Sequence, residues 1–244
     1  MLLAGFAAGL LVQIPAIIRG NGTFILRGDF RAQEIPVLML TGQAIRRGDI
    51  FWNWHIDLGS DFIESLTYYG LGSPFTWVTY LFPPEMMPYV TGWLFVLKYA
   101  VATVCAYAYI RVFVAPASQR EGIRDTLPAL CGAVLYAFSG FQAINIYYGF
   151  FHDAVAFFPL LLLGYEKLVH ENRRGFFALA VMLNALVNYY FFIQEVIFLI
   201  LYHFCREGFR PVKNRRVIAR CFLEGVIGVL QAGILFVPAL ISTL

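Results

Sequence analysis

Asp29 and Gln33 stand four residues apart in the stretch Arg27-Gly28-Asp29-Phe30-Arg31-Ala32-Gln33, so on a helix their side chains share a face. A carboxylate there could take a proton from a hydroxyl as a general base, or it could be a capping or solvated Asp. His152 and Asp153 form a second ionisable pair. They either line a cavity and pair, or sit in a turn with Asp153 capping the helix that follows. Lys98 and Glu195 interrupt apolar runs, where an ionisable side chain is functional by default. Lys98 could snorkel or hold a lipid phosphate. Glu195 could face a cavity with Asn188 or be a paired structural carboxylate. His55, Asp57 and Asp61 could be drawn together around a metal, but their spacing matches no ligand motif, and solvated loop acids are the better reading. A divalent cation is thus neither specified nor ruled out.

The elements that must position these residues follow from composition. Of 244 residues, 60% are hydrophobic, 17% aromatic and 14% charged, with a mean hydropathy of +0.69. A soluble domain is about 45–50% apolar and about 25% charged. An ordinary soluble domain, a disordered chain and a disulfide-stapled module are all excluded. The net charge of +3 is too small to suggest a nucleic-acid partner. The four cysteines show no metal-type spacing and read as small buried hydrophobes. The fold class expected is an all-α polytopic membrane protein.

Seven apolar runs can be drawn, each compared with the roughly 20 residues that cross a bilayer. They cover Leu2 to Ile18, Tyr89 to Val114, Leu127 to Ile146, Ala154 to Val169, Phe176 to Asn188, Tyr190 to Cys205, and Cys221 onward. The fifth and sixth are short and meet at Asn188-Tyr189-Tyr190. Loops around Arg111 to Arg124, Lys167 to Arg174 and Arg206 to Arg220 carry twelve of the eighteen Lys and Arg. Seven alternating spans put these loops on one face, which the excess of basic residues makes cytoplasmic, with the N-terminus inside. Arg19, at the outer end of the first run, is the dissenting charge. The last run is still apolar at Leu244, which reads as the N-terminal part of a longer protein, with 1–244 a single transmembrane domain.

Residues 19–88 then form an outer loop too long for a simple connection. It holds Trp52, Trp54, Tyr68, Tyr69, Phe75, Trp77, Tyr80 and Phe82, whereas disordered segments are poor in aromatics. Ile35, Leu38, Met39 and Ala44 fall on one helical face closed by Arg46 and Arg47, which predicts a helix lying in the membrane interface. Phe75 to Phe82 predicts a second, shorter amphipathic piece. The loop reads as a folded lid, and Asp29, Asp153 and the Asn188 turn all project to its side of the membrane.

The ordered set Gly28-Asp29-(x)3-Gln33, Trp52 to Gly59, Tyr68-Tyr69, Ser73-Pro74-Phe75, Phe138-Ser139-Gly140-Phe141, Asp153 ahead of Pro159-Leu160 and Gly164, and Asn188-Tyr189-Tyr190 resembles the bacterial membrane proteins called YfhO, among the GT-C-type glycosyltransferases. The likeness covers nearly the whole chain and rests on the ordered set, since each motif is short. Family members are considerably longer.

The resemblance implies a bacterial cytoplasmic-membrane enzyme. It would move a sugar from a polyprenyl-phosphate donor to a cell-envelope polymer, such as teichoic acid, on the outer face. It implies Asp29 as catalytic base, with Asp153 as a second acidic position beside His152. Such chemistry suits the neighbouring residues. Arg27 and Arg31, with Arg46 and Arg47, could stabilise a leaving phosphate or anchor to lipid headgroups. Trp52, Trp54, Tyr68 and Tyr69 could stack on a sugar or sit in an interfacial belt. Gln33, His152 and Asn188 complete the expected substrate contacts. A transporter or flippase for a lipid-linked sugar or envelope precursor is the alternative.

Overall fold

The computed structural model describes residues 1–114, 123–208 and 211–243. The apolar runs become helices: α1 (Leu2–Arg19), α5 (Met87–Val114), α6 (Ile123–Ala137), α7 (Gly140–Ile144), α8 (Gly149–Glu171), α9 (Phe176–Val187), α10 (Tyr189–Glu207), α11 (Pro211–Gln231) and α12 (Gly233–Thr243). With 28 residues, α5 is about 42 Å long. It is the central post, with α1, α6 and α8 packed around it.

The all-α membrane class stands. Among the described residues, three helical stretches are long and apolar enough to cross a membrane: Leu2–Arg19, Pro84–Phe113 and Thr126–Ile144. A fourth is added if Arg215–Gln231 and Gly233–Ile241, bent by 84° at their junction, count as one span. The other expected spans are present as helices, but length and composition do not make them crossings. The α9 helix has only 12 residues. The α8 helix carries Asp153, Glu166, Lys167 and Glu171, and α10 carries Glu195, Arg206 and Glu207. The third run is interrupted at Ser139, whose extended backbone separates α6 from α7. The basic residues Arg120 and Arg210, used in reading orientation, lie outside the described residues.

Residues 19–88 are folded. Helices form where the two pieces were expected, as α2 (Ile35–Arg47) and, shorter than Phe75 to Phe82, as α4 (Pro74–Thr79). Between them lie a small antiparallel hairpin, β1 (Trp52–Asn53) with β2 (Ser60–Asp61), and α3 (Phe62–Thr67). Asp61 accepts from Glu64 N–H at 2.9 Å and so caps α3. Three apolar clusters bind this segment to the helices. One joins Ile17, Phe24, Phe30, Ile35 and Leu38 to Met87, Phe95 and Tyr99. Another sets Phe75 against Leu94, Phe157 and Val187. In the last, Ala44, Ile56, Phe62, Leu66 and Leu71 pack with Leu235 of α12. The bend before α12 turns that helix onto α3. Burying a large side chain such as Phe30, with 0% exposure, contributes about 1.5–3 kcal/mol.

The cysteines depart from expectation. Cys105 is buried, but Cys131 and Cys205 are exposed on helix surfaces. Surfaces of helices α6 and α10 otherwise carry exposed Leu135, Ile197 and Leu201, so a thiol there sits among apolar side chains.

Candidate functional site

The chain leaves α1, turns at Gly28 and enters a π-helical turn, Phe30–Glu34, that runs directly into α2. Gly28 has φ +72°, a left-handed conformation that glycine adopts without steric cost. Its carbonyl accepts from the N–H groups of both Arg31 and Ala32. A π turn winds wider than an α turn and is often found at functional sites. The wide turn places two acids, Asp29 and Glu34, against two consecutive residues at the start of α8. The Tyr148 hydroxyl donates to Asp29 Oδ2 at 2.6 Å. The Gly149 N–H hydrogen-bonds the Glu34 carboxylate.

Beneath this contact is a buried ion pair. Lys98 Nζ of α5 lies 2.7 Å from Asp153 Oδ1 and donates to the Gly149 carbonyl at 2.9 Å. Phe75 and Phe95 cover the ammonium, with ring centroids at 5.7 and 5.5 Å. Ser73, at the N-terminus of α4, caps its own helix by accepting from Phe75 N–H. His152 is fully buried, with Nε2 at 3.2 Å from the Asn145 carbonyl and its ring edge-on to Phe95 and Tyr99. Glu34 is half-buried, with its carboxyl the enclosed end. Burial pushes that carboxyl up from 4.5 to about 7; the Lys98 ammonium opposes this, the Asp153 charge adds to it, and the Gly149 N–H opposes it.

Gly149 is where these groups meet most closely. A methyl group there would collide with Glu34 Oε1 and lie 3.5 Å from Lys98 Nζ. Only a residue without a β-carbon lets the π turn approach α8 this closely.

The expected residues divide into two groups. Asp29 is half-exposed, and Gln33, Arg27 and Arg31 are exposed around it. Asp153 and His152 are fully buried. The turn expected at 152–153 is instead the first part of α8, whose N-cap is Tyr148. Asp153 therefore does not cap the helix; it is committed to Lys98. Lys98 in turn offers three donors, of which Asp153 and Gly149 take two with Glu34 alongside, so it is not a free phosphate anchor.

Asn188 is also fully buried. Its Oδ1 caps α10 by accepting from Tyr190 and Phe191 N–H, and its Nδ2 donates to the Tyr68 carbonyl at 2.9 Å. Tyr68 packs edge-on against Tyr69, Phe150, Tyr189 and Tyr190, joining the 19–88 segment to α8 and α10. Trp52 and Trp54 are 54% and 73% exposed and meet edge-to-face on the hairpin. Arg46 donates to the carbonyls of Tyr80 and Phe82 at 2.9 and 2.6 Å, fastening α2 to the end of α4. Glu195 is buried in α10 near Tyr136 of α6. Among the described residues, no three His, Cys, Asp or Glu side chains converge as metal ligands.

Glu34 and Tyr148 were not legible as site residues. Glu34 is five positions from Asp29, a spacing that α-helical geometry does not place on one face. Tyr148 is one of 14 tyrosines and has no distinguishing neighbour pattern.

Helical packing around α5, a folded segment over residues 19–88 and an acidic cluster against it define an all-α membrane protein with a polar site at one end of its helices. The chain belongs to the family described as bacterial membrane protein YfhO, whose family model matches residues 1–244. A curated relative, the "Uncharacterized protein YfhO" of Bacillus subtilis (strain 168), is 29% identical over 250 residues. That alignment covers 96% of this chain and 29% of the relative, so the chain spans less than a third of the relative's length. No solved structure matches.

Proposed function

We propose that the chain is part of a glycosyltransferase of the bacterial cytoplasmic membrane. It transfers a sugar from a polyprenyl-phosphate donor to a cell-envelope polymer such as teichoic acid at the outer face. The N-terminus is inside, the basic loops are cytoplasmic, and seven helices cross or enter the bilayer. The observation that carries this reading is the Asp29 carboxylate. It is half-exposed, hydrogen-bonded by Tyr148, and stands between exposed Arg27 and Arg31 where the outer segment meets the helices.

In the proposed reaction the acceptor oxygen attacks the anomeric carbon while its proton passes to Asp29. The bond from that carbon to the phosphate oxygen breaks, and the electron pair leaves on the phosphate, whose growing charge meets Arg27 and Arg31. A single displacement inverts the anomeric centre. Gln33, Trp52, Trp54, Tyr68 and Tyr69 contact sugar or lipid from the outer segment. Asp153, His152 and Asn188 act from below by holding that segment in place. A divalent cation, if used, would enter with the donor phosphate.

The test uses membranes containing the full-length protein and labelled polyprenyl-phosphate sugars, comparing wild type with Asp29→Asn. Loss of transfer with normal accumulation supports the reading, and full transfer by the variant refutes it. A second reading, a transporter or flippase for a lipid-linked sugar or envelope precursor, draws support from the 84° break between α11 and α12, since broken helices form transporter sites. Movement of labelled lipid without sugar transfer would favour it.

A further inference from the structure

Two independent contacts tie the π turn to the start of α8. The Tyr148 hydroxyl reaches Asp29, and the Gly149 N–H reaches Glu34. Tyr148 itself is braced by a stacked contact with Phe151 at 5.0 Å and an edge contact with Phe150 at 6.3 Å. Its backbone is fixed by the next residue, because Gly149 donates to Glu34 and accepts from Lys98. The phenol is therefore anchored to the buried ion pair at one end and to Asp29 at the other.

We propose that Tyr148 is the positioning residue for the Asp29 carboxylate, orienting it through the hydroxyl, with the Glu34–Gly149 contact holding Tyr148 in register. The inference rests on the transferase reading for its catalytic meaning, but its geometry can be tested separately. A hydrogen bond donated to a carboxylate stabilises the charged form. The same bond pushes the Tyr148 phenol above its ordinary value, the nearby Asp29 charge adding to the effect. The other titratable and charged groups of this region are Arg27, Arg31 and Glu34 on the segment of Asp29, Lys98 of α5 with Asp153 and His152 of α8 near Glu34, and Tyr68 near Tyr148. None of these is removed by Tyr148→Phe, which also keeps the ring that stacks on Phe151.

The experiment measures the coupling between the two side chains in the purified full-length protein by a thermal-unfolding cycle of Tyr148→Phe, Asp29→Ala and the double variant. Tyr148→Phe lowers the unfolding temperature of the wild type but has little further effect in the Asp29→Ala background, because the two side chains act as a pair. In the transfer assay, kcat of Tyr148→Phe falls about 10-fold or more through lost orientation, with KM for the lipid donor unchanged. Additive effects of the two substitutions on the unfolding temperature overturn the contact and with it the positioning role. If Asp29→Asn still transfers sugar, the transferase reading fails even where the stability coupling is seen. If Asp29→Asn is inactive but Tyr148→Phe leaves kcat unchanged, the transferase reading survives and this inference falls.

Discussion

Lys98 and Asp153 form an ion pair of 2.7 Å in which both side chains are almost wholly enclosed, and it joins α5 to α8 next to the 19–88 segment. Replacing one partner strands the other as a buried charge, whereas replacing both removes the problem. Lys98→Met alone is expected to cost about 3–5 kcal/mol of stability. Lys98→Met combined with Asp153→Leu is expected to recover most of that loss. Thermal unfolding of the detergent-solubilised protein measures both, and a double variant no more stable than the single one would contradict the pairing.

Glu34 makes stability depend on pH. Its folded-state carboxyl is raised from 4.5 to about 7, so the folded state holds a proton that the unfolded chain releases earlier. The associated stability is fully present below about 4.5 and is lost as pH rises towards about 7. Its size is at most about 3 kcal/mol, reduced by the partial exposure of the residue. Unfolding temperatures recorded between these limits should fall with pH in wild type and change less in Glu34→Gln.

Gly149→Ala changes no charge, yet it puts a methyl group where the Glu34 carboxyl lies. Overpacking of this kind costs about 1–3 kcal/mol. The π turn should lift from α8, carrying Asp29 away from Tyr148. Crosslinking of an Asp29→Cys, Tyr148→Cys pair, strong in the parent, should weaken in the Gly149→Ala background.

Asn188→Ala removes both the cap of α10 and the tether to the Tyr68 carbonyl. Loss of the cap costs about 1–2 kcal/mol. Loss of the tether should show separately, as faster protease cleavage within residues 19–88 at a temperature where the helices remain folded.

Much of this arrangement was legible before any coordinates. The amphipathic spacing of Ile35, Leu38 and Ala44 marks α2 because helical periodicity is local and buries one face. Ser73-Pro74 marks the start of α4 because a serine cap followed by proline is a local signal. The break at Asn188 is likewise local, an Asn side chain competing for backbone N–H groups. What escaped was the burial of His152 and Asp153. Nothing within a few residues of Asp153 reveals that Lys98, 55 positions earlier, supplies its counter-charge.

The sequence by itself determined that this is a helical membrane protein of the YfhO family, with a folded, aromatic segment over residues 19–88 and its notable acids near one end of the helices. Those properties follow from composition, periodicity and ordered short motifs. Only the tertiary structure decided which acids are exposed and which are paired. Asp29 stays half-exposed against Tyr148, Glu34 enters through a π turn, and Asp153 is consumed by Lys98. The physical reason is that a carboxylate's role depends on its burial and its partners, and both are set by helix packing between residues far apart in the chain.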